Sequence, residues 1–466
     1  MSKKKITIVI GAGFSGLSAA LALLEKGYLV KILELGSKPG GIAAEIKVNG
    51  HLYEMGAHLF HCPDPLIMED MKNLIGEDLI PIDRTIKVDF MGKYYDFPLK
   101  ISEVIIQLPI KTVFAAGFSF LVQQIKPLFF KTKIKNSEDL LIKNYGHILY
   151  NIFFKNYIQR VWGIGPDAFS PKFAEQRIPN FNILEILYKV QNFLKKIFRV
   201  KDQLNIDNFV EKVEGELFTT KSGFSGIIDK MVKKIIKNGG EIIYESKVTK
   251  IFLNSGGLVE RIHYSKNHKD YKINVDGVIS SIPLNIMANL IYPSKIRNGI
   301  TNSISILKYR SLVFVGLIIN RTNVLPASLT YFRDLSFNRI TDLTSLGIKA
   351  KESGISTLVA EISCDMKDDI WLNPNLAKEH VIADLVRKNI IQKSEIIDGH
   401  TYQLEHAYPI YVKGYDNALT NILNHLDQVP NLKTIGRNGR FQYINSHIAI
   451  RHGYDAGNQM IKFFDS

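Results

Sequence analysis

The opening of the chain constrains its fold more than any other stretch. Ile6-Thr7-Ile8-Val9-Ile10 reads as a buried strand, and Gly11-Ala12-Gly13-Phe14-Ser15-Gly16 follows it without a break. Residues 15–26 then set Leu17, Leu21 and Leu24 on one side of a helix, and Val30-Lys31-Ile32-Leu33-Glu34 returns as a second strand. The order is a βαβ unit with G-x-G-x-x-G in its first turn, the context in which that spacing is informative. Gly11 permits the tight turn, Gly13 lets a pyrophosphate approach the backbone, and Gly16 lets helix and strand pack closely. Free amides at the helix start, around Phe14 and Ser15, meet the anion. Glu34 closes the second strand, where a carboxylate accepts hydrogen bonds from ribose hydroxyls and disfavours a 2′-phosphate. The residues predict a dinucleotide site.

With 466 residues the chain exceeds one ordinary hydrophobic core. Its pattern predicts an α/β protein in which a Rossmann-like domain is interrupted. The first segment covers residues 1–84. From 85 to 210 the pattern turns to long apolar and aromatic stretches punctuated by lysine, a mainly helical inserted domain. Residues 211–285 resume the dinucleotide-binding domain, with an amphipathic helix at Ile227–Ile236 and strands at Glu241–Tyr244, Val248–Phe252 and Asp276–Ser280. Residues 286–430 form a mixed-sheet substrate domain, and 431–466 a last segment that reads strand, glycine-rich loop, helix.

The 59 Lys and Arg exceed the 45 Asp and Glu, for a formal charge of +14, so the surface attracts anions. Neither zinc-finger spacing nor an aromatic-basic RNA-binding signature is present, so nucleic acid is not the expected partner. Cys62 and Cys364 are the whole thiol inventory, which excludes a disulfide framework and predicts a reducing cytoplasm. His58 and His61 have Cys62 as their sole companion at ligand spacing, so no metal is expected. The apolar run Thr112 to Ile125 falls short of the roughly 18 to 20 residues that a membrane span requires. With Lys126, Lys131, Lys133, Lys135, Phe129 and Phe130 beside it, the run has the composition of a segment lying on the inner face of a membrane. A core helix with a basic exit is the alternative.

Beyond Glu34 the residues carry a family likeness. Gly36-Ser37-Lys38-Pro39-Gly40-Gly41, Glu54-Met55-Gly56-Ala57-His58 and Ser222-Gly223-Phe224-Ser225-Gly226 resemble the amine oxidase, protoporphyrinogen oxidase and phytoene desaturase flavoproteins. The resemblance implies a GR2-type fold and bound FAD. It places Gly40 and Gly41 beside the cofactor, Gly56 and His58 near the flavin, and the Val248 backbone at the adenine.

Within that group the chain resembles the UDP-galactopyranose mutases. Gly56-Ala57-His58-Leu59-Phe60-His61 is similar to their G-P-H-I-F-H, and Tyr157-Ile158-Gln159-Arg160-Val161-Trp162-Gly163 to their Y-T-x-K-Q-W-G. Arg177-Ile178-Pro179, Tyr408-Pro409-Ile410-Tyr411 and Gly436-Arg437-Asn438-Gly439-Arg440-Phe441-Gln442-Tyr443 match R-I-P, Y-P-x-Y and G-R-x-G-x-Y-x-Y. The resemblance implies catalytic roles for His58, His61, Arg310 and Arg437. It adds Gly436 and Arg437 to the FAD contacts and gives substrate contacts to Tyr157, Trp162, Tyr408, Tyr411 and Tyr443. The chain departs from the pattern at Phe181, where the mutases have a second diphosphate-binding arginine, and at Ile158.

Two activities follow from the likeness. One interconverts pyranose and furanose forms of a nucleotide-diphosphate sugar for surface polysaccharides, with the reduced flavin as nucleophile. The other is an oxidase or desaturase acting on an apolar or lipid-linked substrate.

Overall fold

The computed structural model describes residues 4–56, 58–97, 108–131, 133–178, 216–220, 222–293, 299–348 and 350–466. The chain forms two compact units, one of residues 1–92, 215–410 and 414–466, the other of 93–214 and 411–413.

In the first unit a parallel sheet runs in the order Glu241–Ile243, Leu29–Leu33, Ile6–Ile10, Gly277–Ser280, Leu432–Thr434. Numbered along the chain this is 3-2-1-4-5, a doubly wound order that reverses between its first and fourth strands and leaves a crevice at their carboxyl ends. The central strand is apolar because both its faces are covered, and Ile8 and Val9 have no exposed surface. The helix expected at 15–26 spans Phe14–Glu25, and every residue from Phe14 to Leu24 is buried. Part of that cover is the C-terminal helix Ser446–Asp465. A Cβ on its Gly453 would come 2.3 Å from the Ser15 carbonyl oxygen, and one on Gly457 2.7 Å from the Ala22 methyl. The two helices therefore touch backbone to backbone.

The mixed sheet of this unit carries, in order, Ile396–Ile410, Lys308–Ile319, Ser356–Cys364, Arg339–Asp342, Leu329–Phe332 and Ile86–Phe90. Its pairings are antiparallel except the last. Strand alternation sorts Lys308–Ile319 between two faces. Val313, Val315, Leu317 and Ile319 pack with Ala377, Val381 and Leu385 of the helix Pro374–Arg387. Leu312, Phe314 and Ile318 point the other way, onto Tyr53 and Tyr402. Gly316 shares that second face, where a Cβ would lie 2.2 Å from the Tyr53 ring. This second face carries the candidate site.

The second unit is largely helical, with Ile110–Phe129, Ser137–Tyr150, Asn156–Trp162 and Pro171–Arg177. Along Ile110–Phe129, Phe114, Phe118, Leu121, Val122, Ile125 and Phe129 are exposed at helical spacing, whereas Ala116 and Phe120 are buried. Among the described residues no helix is long and apolar enough to cross a membrane. Both cysteines are free thiols.

Candidate functional site

The glycine loop is shaped by what each position tolerates. Gly11 has φ +98°, and a Cβ there would meet the Ser281 hydroxyl at 2.5 Å. A Cβ on Gly16 would lie 2.0 Å from the Gly11 carbonyl oxygen, so this glycine closes the turn onto the helix. Gly13 differs: the one heavy atom a Cβ would approach is the Gly40 carbonyl oxygen, at 3.7 Å. The space a pyrophosphate needs is therefore open at Gly13, and the helix behind it starts without a side-chain cap or an acidic residue in its first turn. The loop fits the phosphates of a dinucleotide.

Its neighbours complete the cradle. Gly40 donates its amide to the Ala12 carbonyl at 2.8 Å, and a Cβ on Gly41 would stand 3.6 Å from the Gly13 Cα. Both have positive φ, +121° and +57°. The Glu34 carboxylate accepts from the Ala12 and Gly36 amides, each at 2.7 Å, and so ties the loop to the end of the second strand. The Ser246 amide donates to the Glu34 carbonyl, bringing the strand of Val248 to the same edge. Gly436, at φ +77°, lies so close to Ser15 that a Cβ would be 2.4 Å from its hydroxyl. The C-terminal loop is thereby docked on the helix start.

Arg437 follows Gly436. Its guanidinium carbon lies 4.3 Å from the Tyr443 ring centre and 4.9 Å from that of Tyr408, yet Nε and Nη2 are buried with no hydrogen-bond partner. The loop is held by Tyr309, whose hydroxyl donates to the Asn438 carbonyl at 2.8 Å, and by the Asn438 amide on the His406 carbonyl at 3.0 Å. A buried, unsatisfied guanidinium is costly, and its two N–H groups match an anionic fork. Burial holds the Tyr408 phenol well above the usual range, so it stays a donor.

His58 lies in the same neighbourhood, its ring stacked on Phe224 at 5.4 Å. Burial, then the positive charges of Arg339 and Arg437, push its pKa down to about 3. It is a neutral imidazole near neutral pH. Beneath it, Glu54 accepts from the Phe224 amide at 2.8 Å while its Oε2 has no partner. Burial, with some repulsion from Glu45, pushes Glu54 up to about 8. Gly56 rests on an ion pair: a Cβ there would be 2.9 Å from Glu361 Oε1 and 3.3 Å from Arg339 Nη2.

Other expected residues have neighbours of their own. Arg310 is buried and paired with Asp365 at 2.8 Å and with the Ser363 carbonyl at 3.3 Å. His61 faces His447 of the C-terminal helix, ring centres 6.3 Å apart. In the second unit, Trp162 packs edge-on against Phe169 and Phe173 beneath the Arg177 guanidinium. Tyr157 lies 5.9 Å from the Arg160 guanidinium, and Tyr411 is buried there. Ala57, Pro179 and Phe181 fall outside the described residues. Among the described residues no group of three His, Cys, Asp or Glu could hold a metal.

Glu54, Phe224, Tyr331, Arg339 and Glu361 were not singled out as site residues in the sequence. Glu361 had a usable signal, a lone carboxylate inside the apolar strand Ser356–Cys364.

A family model described as flavin containing amine oxidoreductase matches residues 14–409, well over half the chain. A probable UDP-galactopyranose mutase of Klebsiella pneumoniae is 28% identical over 195 residues, 39% of this chain and 47% of that protein. The dTDP-fucopyranose mutase of Escherichia coli is 26% identical over 179 residues, 37% of this chain and 45% of that protein. The chain thus spans about half the length of these curated relatives. A neurosporene-forming phytoene desaturase of Rhodobacter capsulatus is 34% identical over 87 residues, 18% of this chain and 17% of that protein. A crystal structure of reduced UDP-galactopyranose mutase shares the fold, with a TM-score of 0.81 at 18% identity over 99% of this chain and 96% of that one.

Proposed function

The chain belongs to the flavin containing amine oxidoreductase family and takes FAD, and from that premise we propose that it is a nucleotide-sugar mutase. It interconverts pyranose and furanose forms of a nucleotide-diphosphate sugar for surface polysaccharide biosynthesis. Gly11, Gly13, Phe14, Ser15, Gly16, Glu34, Gly40, Gly41, Val248 and Gly436 hold the FAD. When bound and reduced, the flavin supplies the nucleophile for the anomeric carbon.

The observation that carries this reading is Arg437, whose two buried N–H groups have no acceptor. A diphosphate supplies that acceptor and disperses the charge of a departing nucleotide, while Tyr408 and Tyr443 donate without adding charge. His58, kept neutral, can donate one hydrogen bond and accept another without adding to the positive field. For Tyr157, Trp162 and Tyr411 in the second unit, and for His61 and Arg310, the proposal rests on sequence resemblance alone.

The oxidase or desaturase reading has the short desaturase match in its favour. An apolar substrate would leave the Arg437 donors unpaired, at about 1–3 kcal/mol for a group left without its partner, so the mutase is preferred. Titrating the reduced protein with UDP-, dTDP- and GDP-sugars tests the choice. At least one should perturb the flavin spectrum saturably; no response to any of them would favour the oxidase.

We also propose that the exposed apolar face of Ile110–Phe129 rests on an anionic lipid surface at the inner side of a membrane, with Lys111, Lys126, Lys131, Lys133 and Lys135 supplying the attraction.

A further inference from the structure

We propose that the outer face of a small sheet in the first unit binds a soluble, phosphate-bearing ligand, at a site separate from the cofactor crevice and independent of the nucleotide-sugar reading. The sheet carries Lys269–Asn274, Val259–Lys266, Ser246–Leu253 and Ile291–Tyr292, in that order. Strand alternation sorts its residues between two faces. Ile251, Ile262 and Ile291 are buried on the inner face, and so is Val248, which stands opposite Tyr264. On the outer face Lys250, His263 and Lys272 stand side by side, one on each of three strands. Tyr292, Phe252 and Arg261 form the next outer row.

The aromatic row holds the cations in place. The Arg261 guanidinium lies 4.8 Å from the centre of the Phe252 ring, and the Lys250 ammonium 5.7 Å from that of Tyr292. The two rings touch, centres 5.4 Å apart, and His263 packs on Phe252 at 4.5 Å. Cation–π attraction fixes such groups before a ligand arrives, which lowers the entropy lost on binding an anion. Neighbouring strands are about 4.8 Å apart and alternate residues about 7 Å, so three cations flank one imidazole.

Their charge is largely uncompensated. Among the described residues Lys250, Arg261 and Lys272 form no ion pair. Burial, then Lys272, Arg261 and Lys250, hold the His263 pKa below the ordinary imidazole value, with Asp270 acting against them. Arg261 Nε and His263 Nε2 are buried without a hydrogen-bond partner. Three cations against one carboxylate suit a doubly charged phosphate, whose oxygens accept from guanidinium and ammonium alike. Apart from Tyr292, itself beneath Lys250, no described large apolar side chain on this face is exposed. The face therefore has little to insert into lipid, and a soluble phosphate ester or diphosphate is the ligand it fits.

The test reads His263 itself. The FAD-loaded protein is labelled with 13C-histidine, the His263 resonance is assigned by its loss in His263→Gln, and inorganic pyrophosphate is added at constant ionic strength. The resonance should move saturably, and the His263 pKa should rise by about one pH unit, the size of effect a nearby opposite charge produces. UDP should act in the same way. Lys250→Gln with Lys272→Gln, both exposed positions, should weaken the response by at least about tenfold, and Arg261→Gln alone should do likewise. Arg437→Ala should leave it unchanged, which separates this site from the diphosphate contact proposed above. No saturable shift at constant ionic strength, or a shift that survives loss of the two lysines and of Arg261, would overturn the site. A response to phosphatidic acid vesicles but not to pyrophosphate or UDP would overturn the soluble ligand.

Discussion

At the scale of single residues the chemistry turns on which charges are compensated. Arg437 has two buried donors without acceptors, so Arg437→Ala should weaken nucleotide-diphosphate binding by about 1.5 to 3 kcal/mol, and lysine should restore part of it because it lacks the planar fork. Titration of wild type and both variants with UDP measures this. Glu54 gives a prediction about pH. Its pKa is pushed up to about 8 from an ordinary 4.5, so the fold keeps a proton that the unfolded chain releases. Its contribution to stability is complete below about pH 4.5 and is lost as pH rises through about 8. His58, lowered from 6.5 to about 3, acts in the opposite sense, costing stability as pH falls below about 6.5. Glu54→Gln should therefore raise the melting temperature near pH 8 and leave it little changed near pH 4.5. A difference that does not grow with pH would contradict the buried, protonated carboxyl. Arg437 was legible in the sequence because glycines flank it inside a resemblance. Arg339 was not, and Glu361 offered only a lone carboxylate in an apolar strand, because their pairing joins strands distant in the sequence.

At the scale of elements, the first turn of the chain makes a matched pair of predictions. A side chain at Gly13 enters open space, so Gly13→Val should fold with a melting temperature close to wild type while losing FAD, measured as the flavin-to-protein absorbance ratio. At Gly16 the same side chain would strike the Gly11 carbonyl, so Gly16→Val should fail to fold or melt far lower. A folded Gly13→Val protein that kept its FAD would mean that the open space at Gly13 has no ligand. This element was readable because strand, glycine spacing and helix are contiguous. The crossing of Phe14–Glu25 with Ser446–Asp465 was not. Gly453 and Gly457 read as ordinary helix residues until Ser15, Ser18, Ala19 and Ala22, from the other end of the chain, are set against them.

At the scale of the whole molecule, the chain separates cofactor binding in the first unit from an exposed apolar helix in the second. That Tyr411–Lys413 joins the second unit was announced by no local pattern. Phe114 and Phe118 are 73% and 72% exposed, so Phe114→Glu with Phe118→Glu should leave folding intact and lower partitioning onto phosphatidylserine-containing vesicles by at least about tenfold. Wild-type binding that is absent, or equal on zwitterionic vesicles, would contradict the proposed lipid contact. The central claim, that this flavoprotein rearranges a sugar without net oxidation, is tested most directly by product analysis. The dithionite-reduced protein is incubated without oxygen with UDP-galactopyranose, dTDP-fucopyranose and a panel of other nucleotide sugars, and the mixtures are resolved by anion-exchange chromatography and NMR. The account predicts a furanose product from at least one sugar, at equilibrium and with the flavin still reduced after many turnovers. A panel returned unchanged by a protein that instead oxidises an apolar substrate, one flavin reduction per product, would contradict it.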